Sequence, residues 1–370
     1  MSKPRILVTS AAGHTGSVVV TKLLDKGFPV RAFVHREDSR SERLRKAGAE
    51  IFVGNLFDMR DLKLSLVDVQ RAYHCPPFAP NLLHGSMLFA LAAEEAKLEV
   101  VALMSGWNPH PSHPSIVTRE HWITNNIYNW MPNVDVVFVN PGLFAFTYFF
   151  GLPAVVNFGK LMLPYGEGLN APPSNEDIAS VVASILEHPG PHIGKNYRPT
   201  GPRLISGNDI AGIFSNILGK NVTYQDVPTW MFVKAAKAQG FSNFEIAQIR
   251  NYAEELRGGT YAVGAPTDHV EKVTGHPAED FEITTRRYIQ NPEFVIPNLK
   301  IGGKIDAALL MMKTMLTKAP DLDKWESERG YPLLKDSLLA HENEEWFANA
   351  NQKRLFLLEN ENKFIKSIAS

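Results

Sequence analysis

A short turn of small residues near the N-terminus constrains this chain more than any other stretch. Residues 6–8 form an apolar run typical of a strand buried on both faces, and the residues after 16 place apolar side chains at helical spacing. The turn between them has the pattern Ser10-x-x-Gly13-x-x-Gly16. A helix that begins after such a turn presents unpaired N–H groups and a positive dipole end. The stretch therefore predicts an anion site, and most simply a site for the pyrophosphate of a dinucleotide.

A tight turn without a ligand is the alternative interpretation of the same pattern. A glycine-rich turn alone is weak evidence, because loops collect glycine for many reasons. Ser10 stands at the position of the first glycine. Serine adopts a strained turn conformation less readily than glycine, which favours the alternative slightly.

The residues that follow this turn alternate between strand and helix patterns as far as about residue 142. Such alternation is typical of right-handed crossovers on a parallel sheet. We therefore predict an α/β fold: a Rossmann-type doubly wound parallel sheet with a smaller, mostly helical C-terminal lobe and a helical tail. The expected domains are a dinucleotide-binding domain over 1–142 plus about 174–202, a substrate lobe over 143–173 plus about 203–290, and a helical extension over 291–370.

Composition excludes several classes of protein. The 38 basic and 39 acidic residues leave a formal net charge of −1, which gives no reason to expect a nucleic-acid partner. The single cysteine excludes an intrachain disulfide and fits a reducing compartment. The apolar stretch 136–159 is interrupted by Asn140-Pro141-Gly142 and by Pro153, so a strand, a loop and a short helix are expected instead of a membrane span. Without a signal-peptide pattern at its N-terminus, the chain is predicted to be cytoplasmic.

The charge that follows the second predicted strand selects the cofactor. Arg36 lies 20 residues after Gly16, where an arginine pairs with a 2′-phosphate and an acidic residue with a ribose hydroxyl. Arg40 and Arg43 add positive charge nearby, whereas the acidic pair at 37–38 acts in the opposite direction. A solvated loop arginine is the alternative. We predict that NADP(H) is favoured over NAD(H).

Several ordered segments together resemble the NmrA-like proteins, which are atypical short-chain dehydrogenase/reductases related to the isoflavone reductase-like enzymes. The resemblance covers residues 3–290 and rests on 6–16, on the strand end 30–36 and on Gly54-Asn55-Leu56. Asn140-Pro141-Gly142 stands where that family usually has Arg-Pro-Gly. The resemblance implies dinucleotide contacts at Ser10, Gly13, His14, Thr15, Gly16, Arg36, Asn55 and Leu56.

Two strand ends should face the nicotinamide, because ligands lie outside the carboxyl ends of parallel strands. They are Cys75-Pro76-Pro77 and Ser105-Gly106. The aromatic residues that follow are expected to line an apolar substrate pocket, with ordinary core packing as the alternative. The predicted substrate contacts are Trp107, Phe144, Phe146 and Tyr148.

The catalytic residues are the least determined part of the sequence. The family commonly places a lysine on the helix after Gly106, but the matching position falls at or beside Trp122, and the Tyr-x-x-x-Lys pair of ordinary short-chain dehydrogenases is also missing. His121 is the best replacement because imidazole titrates near neutrality, and Tyr128, seven residues later on the same helical face, would assist it. An ordinary packed histidine is the alternative. No metal is predicted, since His110, His113 and His121 have no neighbouring cysteine or carboxylate set in the sequence.

Three functions remain open at this point. The first is an NADPH-dependent reductase of a small, largely apolar carbonyl or conjugated compound. The second is a non-catalytic NADP(H)-sensing regulatory protein that binds a protein partner. The third is a scaffold or membrane-surface protein whose tail carries the function. In that tail an apolar stripe at helical spacing is predicted to pack on the substrate lobe, with a subunit interface or a shallow membrane contact as alternatives; its residues are Ile305, Ala308, Leu309, Met312 and Leu316.

Overall fold

A seven-stranded parallel sheet forms the centre of the computed structural model, which describes residues 3–291, 301–332 and 334–353. The strand order is β3-β2-β1-β4-β5-β6-β8. The neighbours of β1 are β2 and β4, so the strand order reverses beside β1. Doubly wound folds bind their ligands at such a reversal. The predicted Rossmann-type fold is confirmed. The strands are β1 (Ile6–Val8), β2 (Val30–Val34), β3 (Glu50–Val53), β4 (Arg71–His74), β5 (Val100–Met104), β6 (Asp135–Val139) and β8 (Asn196–Tyr197).

Helices cover both faces of this sheet. One face carries α1 and α7, which pack closely against each other over a core of aliphatic side chains. The other face carries α3, α4 and α5 over a second core. Ser174 caps α7 by accepting a hydrogen bond from the Asp177 N–H. The helices are α1 (His14–Asp25), α2 (Ser39–Lys46), α3 (Met59–Ser65), α4 (Leu82–Ala96), α5 (Ile116–Asn129) and α7 (Asn175–Glu187).

A smaller lobe follows β6 in the chain. It contains two short strands that pair in parallel, β7 (Lys160–Leu163) and β9 (Thr223–Asp226). Its core is aromatic: Phe149 contacts Phe214, Phe281 and Tyr288. Edge-to-face pairs of this kind are favourable for aromatic rings. The helices here are α6 (Leu152–Phe158), α8 (Gly207–Leu218), α9 (Thr229–Ala238), α10 (Asn243–Arg257) and α12 (Phe281–Gln290). Helix α11 (His269–Thr274) packs instead against α7, with Val270 in the core of the parallel sheet.

The described part of the C-terminal extension contains α13 (Lys304–Leu316), α14 (Leu322–Glu328) and α15 (Glu344–Lys353). Ala340 and Trp346 are buried in the core that Phe149 and Leu256 help to form. The extension therefore packs on the smaller lobe. The rest of the predicted extension, 292–300, 333 and 354–370, lies outside the described residues.

Helix α13 docks through a different face from the one expected. Ala307 is buried, and Leu310 and Thr314, three and seven residues later, are half-buried on the same side. The predicted apolar stripe lies on the opposite side and is exposed, so the expectation that it packs on the substrate lobe is wrong. The stripe alone could not predict the docking face, because an amphipathic pattern shows which side of a helix is apolar but not what covers that side. Within the described residues, no helix combines the length and the apolar character that a membrane span requires.

Candidate functional site

A cavity of about 550 Å³ lies at the carboxyl ends of the central strands, between the sheet and the smaller lobe. Its lining combines the turn after β1, the segments after β4, β5 and β6, and apolar residues of α9 and α10. Of the predicted residues it includes Ser10, Gly13, His14, Thr15, Gly16, Cys75, Pro76, Ser105, Gly106, Trp107, His121, Phe144 and Phe146. The position matches the place where open parallel sheets bind ligands.

The turn after β1 begins with a residue in the left-handed region. Ser10 has φ of 49°, a conformation that glycine adopts without strain and serine adopts at a cost. Its Oγ donates a 2.7 Å hydrogen bond to the carbonyl of Cys75, and its own carbonyl accepts from the Gly13 N–H at 2.9 Å. These two bonds offset the strain. Ser10 therefore takes the conformation that the sequence analysis expected it to resist.

The start of α1 is shaped to receive an anion. The first i→i−4 hydrogen bond runs from Ser17 N–H to the Gly13 carbonyl, so the amides of Thr15 and Gly16 precede the helical ladder. A Cβ at Gly16 would lie less than 3.0 Å from the carbonyl of Ser10, so only glycine allows the helix this close to the turn. Thr15 Oγ1 donates to Asn175 Oδ1 at 3.3 Å and ties the turn to α7. This geometry fits a dinucleotide pyrophosphate.

The residues proposed for the adenosine half lie outside the cavity lining. Arg36 directly follows the end of β2; its side chain is 74% exposed, with Nε 3.8 Å from an Asp38 oxygen. Arg40 hydrogen-bonds that carboxylate more closely and holds the pKa of Asp38 at about 2. Asn55 and Leu56 follow β3, and the Asn55 Oδ1 accepts from the Phe57 N–H. All three residues follow the carboxyl ends of β2 and β3, the same edge of the sheet as the turn after β1, which fits an extended nucleotide.

The segments after β4 and β5 reach the cavity as the sequence predicts. Burial raises the pKa of the Cys75 thiol to about 11, so it stays protonated at neutral pH. The Ser105 hydroxyl is buried and has no hydrogen-bond partner within the described part of the chain. The Gly106 carbonyl accepts a 2.6 Å bond from Asn140 Nδ2. Asn140, which replaces the arginine expected from the family, thereby fixes the loop that follows β5.

His121 lines the cavity but does not titrate near neutrality. Burial lowers its pKa to about 4, and its Nδ1 has no hydrogen-bond partner among the residues that the structure describes. The expectation of an imidazole that ionises around pH 7 is therefore wrong. A neutral imidazole still donates a hydrogen bond from one ring nitrogen. That is the chemistry that His121 offers to the cavity.

Tyr128 does not lie in the site, contrary to the prediction. Its hydroxyl donates a 3.1 Å bond to the Ser86 carbonyl, and its ring lies 6.1 Å from that of His74 in the core beneath the sheet. Burial raises the pKa of Tyr128 well above its usual value. Seven residues along a helix keep the same face but move about 10 Å along the axis, which carries Tyr128 away from the cavity.

Two of the predicted aromatic substrate contacts belong more to the core than to the pocket. Tyr148 is buried against Tyr165 and Phe281 and is absent from the cavity lining, so the prediction for it is wrong. Trp107 borders the cavity but is almost fully buried: its Nε1 donates to the Thr260 carbonyl at 3.1 Å, and Arg198 stacks over its ring. Phe144 and Phe146 line the cavity as expected, and Phe146 stacks on His14 of the glycine turn.

The smaller lobe contributes lining residues that sequence reasoning missed. The apolar patterns of α9 and α10 were visible, but a pattern does not reveal which face meets a cavity formed by distant segments. Among the described residues, Glu245 is the only acidic one in the lining, and its carboxylate accepts from both the N–H and the hydroxyl of Ser242. The missed residues of this lobe include Phe232, Phe241, Tyr252 and Tyr261; two missed residues of the sheet domain are Phe78, after β4, and Thr118, on α5.

A buried polar cluster beside the cavity brings His110 and His113 together with Glu255, their ligand atoms all within 4.8 Å of one another. Nδ1 of His113 accepts from the Ser115 N–H at 2.9 Å, so Nε2 carries the proton and donates it to Glu255 at 2.7 Å. A metal at Nε2 would require a proton on Nδ1, facing that N–H. Burial alone would raise the pKa of Glu255, but hydrogen bonds from His113 and His341 hold it well below its usual value. His113, Glu255 and His341 form a hydrogen-bonded network that, with the Ala340 N–H donating to Glu255, anchors the C-terminal extension.

Comparison with known proteins agrees with this fold and site. Residues 2–122 match the model described as the NmrA-like family. The resemblance predicted from the sequence is thereby confirmed. Among curated relatives, the NAD(P)H azoreductase of Xenophilus azovorans is 28% identical over 277 residues, which covers 75% of this chain and 95% of the azoreductase.

Solved structures with this fold include both enzymes and a regulator. The NADPH-dependent quinone oxidoreductase QOR2 of Escherichia coli, solved with NADPH, has a TM-score of 0.67 at 21% identity, covering 77% of this chain and 100% of QOR2. NmrA, a negative transcriptional regulator solved with NADP, has a TM-score of 0.66 at 16% identity, covering 81% of this chain and 99% of NmrA. Both likenesses show the fold.

Proposed function

We propose that this NmrA-like protein is an NADPH-dependent reductase of a small, largely apolar carbonyl or conjugated compound. One observation carries the proposal: the glycine turn and the aromatic side chains of the smaller lobe line the same cavity. A dinucleotide whose pyrophosphate binds at the turn would extend its nicotinamide along the carboxyl ends of β4 and β5. The names of the azoreductase and of the quinone oxidoreductase, both users of reduced nicotinamide cofactors, support the reductase class.

The chain's own residues bind, orient and shield in this proposal. When bound, NADPH supplies a hydride. The amides at the start of α1 hold the pyrophosphate, and Arg36 pairs with the 2′-phosphate. The buried Ser105 hydroxyl donates a hydrogen bond to the bound ring, and neutral His121 donates one to the acceptor oxygen of the substrate. Aromatic walls exclude water, which strengthens both bonds.

A non-catalytic NADP(H) sensor is the second candidate, and one observation favours it. The described lining contains no lysine or arginine, and one of its two histidines, His121, is neutral at pH 7. Proton donation to a product would then depend on a neutral imidazole or on water. The NmrA regulator shows that this fold also occurs in a protein named for regulation.

Steady-state NADPH oxidation across a panel of apolar carbonyl and conjugated compounds separates the two candidates. We expect turnover, with His121→Gln lowering kcat and leaving NADPH affinity unchanged. Phe241→Ala should raise KM roughly tenfold, since a buried phenyl ring contributes about 1.5–3 kcal/mol. Phe347→Ala, an exposed ring on α15, is the matched control. Tight NADPH binding without reduction of any panel compound would contradict the reductase and support the sensor.

A further inference from the structure

Helix α13 presents an unusually apolar face to solvent. Its side chains Ile305, Leu309, Met312 and Leu316 are between 52% and 81% exposed. At 100° per residue, spacings of four, three and four place them in one narrow stripe. Ala307 and Thr314 lie on the opposite side of the helix and face the protein. Exposed apolar side chains scattered singly are ordinary, but a continuous stripe of four marks an interaction surface.

The neighbouring helix α9 widens this surface. Helix α13 packs against both α9 and α6. Lys234 on α9 donates a 2.8 Å hydrogen bond to the Met315 carbonyl, which fixes the two helices side by side. Trp230, one turn before Lys234 on the same face of α9, is 57% exposed. We call this surface, formed by the α13 stripe together with Trp230, the α13 face.

The charges around the α13 face have one dominant sign. Residues 301–320 contain three lysines and one acidic residue, and α9 contains two lysines and no acidic residue. Lys304 and Lys313 lie on opposite flanks of the stripe by helical geometry. The carboxylate of Asp306 is already engaged by the Gly303 N–H at 2.8 Å. An apolar stripe with a lysine rim is complementary to a surface that is apolar inside and anionic at its edge.

We infer that the α13 face docks this protein onto anionic lipid bilayers. The stripe enters the boundary between headgroups and acyl chains, and the lysines contact the lipid phosphates. Tryptophan suits the same interfacial depth, and methionine adapts to irregular packing. A second copy fits less well, because a two-fold contact through this face would bring the two lysine rims together.

Vesicle co-sedimentation of the full chain tests this inference. We expect binding to vesicles that contain phosphatidylglycerol, weaker binding to pure phosphatidylcholine, and a decrease with added salt. The double change Leu309→Glu and Met312→Glu should weaken partitioning at least about tenfold, since it removes two apolar side chains that docking would bury in the bilayer. Leu91→Glu on α4, where the leucine is 57% exposed, is the matched control and should bind as wild type does.

Light scattering and thermal melts of the same proteins complete the test. Both exposed-site variants should retain the wild-type melting temperature, because no buried contact changes. Failure of the wild type to bind anionic vesicles would overturn the inference. So would a wild-type dimer that the α13 double variant converts to a monomer, since the face would then be covered by a second copy.

Discussion

The carbonyl oxygen of Ser10 lies directly against Gly16, so close that a Cβ at residue 16 would stand less than 3.0 Å from it. The contact joins the residue that leaves β1 to the first turn of α1. It depends on the left-handed conformation of Ser10 and on the missing side chain at residue 16. The amides proposed to hold the pyrophosphate keep their position through this contact.

The first prediction concerns that contact. Gly16→Ala should push α1 away from the turn and weaken NADPH binding by about tenfold or more, because charge-assisted hydrogen bonds of about 1.5–3 kcal/mol depend on the geometry of the amides. Gly212→Ala in α8 is a matched control, since a Cβ there meets nothing within 4 Å. The control should bind NADPH normally and melt slightly higher. Calorimetric titration with NADPH measures the affinity of both variants. Equal affinities of Gly16→Ala and the wild type would place the phosphate elsewhere.

Cofactor selectivity gives the second prediction. Arg36→Ala should weaken NADPH binding roughly tenfold or more and leave NADH binding almost unchanged, since it removes a charge-assisted pair with the 2′-phosphate. Arg60→Ala is the matched control, because the Arg60 side chain is 86% exposed, against 74% for Arg36, and also pairs with a nearby aspartate, Asp58, after a different strand. Equal losses for both cofactors on Arg36→Ala would remove the 2′-phosphate assignment.

The sequence determined the sheet and its ligand-binding edge because those depend on local patterns. Buried strands read as apolar runs, and the turn after β1 has its own residue types, so the cavity residues from Ser10 to Ser105 were predictable. His121 was found for the same reason, as a titratable residue on the helix that follows β5. The ionisation state of His121 could not be predicted, because burial by distant segments sets its pKa.

The errors share a physical origin. Helical periodicity gave the face of Tyr128 but not its distance along α5 from the cavity. The same periodicity gave the α13 stripe but not the side on which the protein lies. Glu255 completes the polar cluster from 142 residues beyond His113, and no local pattern announces a pairing over that separation. Contacts between distant segments decide all three.

The third prediction tests the role of the C-terminal extension. Trp346 is almost fully buried in the core of the smaller lobe, so Trp346→Ala should lower the free energy of unfolding by about 3–5 kcal/mol. Trp130→Ala, at a tryptophan 67% exposed, is the control and should change stability little. Denaturant unfolding measures both. A Trp346→Ala protein as stable as the control would show that the extension is dispensable for the fold.

The last prediction concerns pH and rests on Glu120, the neighbour of His121 on α5. Burial raises the pKa of Glu120 from its ordinary value of 4.5 to about 7, although its Oε2 accepts from the Leu83 N–H. A carboxyl whose folded pKa is raised favours folding when protonated. That advantage is fully present below pH 4.5 and is lost as the pH rises through 7.

Glu120→Gln removes this dependence, because the amide stays neutral and still accepts from the Leu83 N–H. The free energy of unfolding of the variant should match that of the wild type near pH 4.5. At pH 8 it should exceed the wild-type value by about 1–2 kcal/mol, after allowance for the partly exposed side chain. Both proteins keep His74, His110 and His121, whose lowered pKa values destabilise the fold in acid, so that contribution cancels in the difference. Glu95→Gln, at an exposed carboxylate paired with Lys63, is the control. Melting curves of Glu120→Gln and wild type that stay parallel from pH 5 to pH 8 would show that Glu120 is ionised throughout, because only a protonated Glu120 makes the two proteins converge in acid.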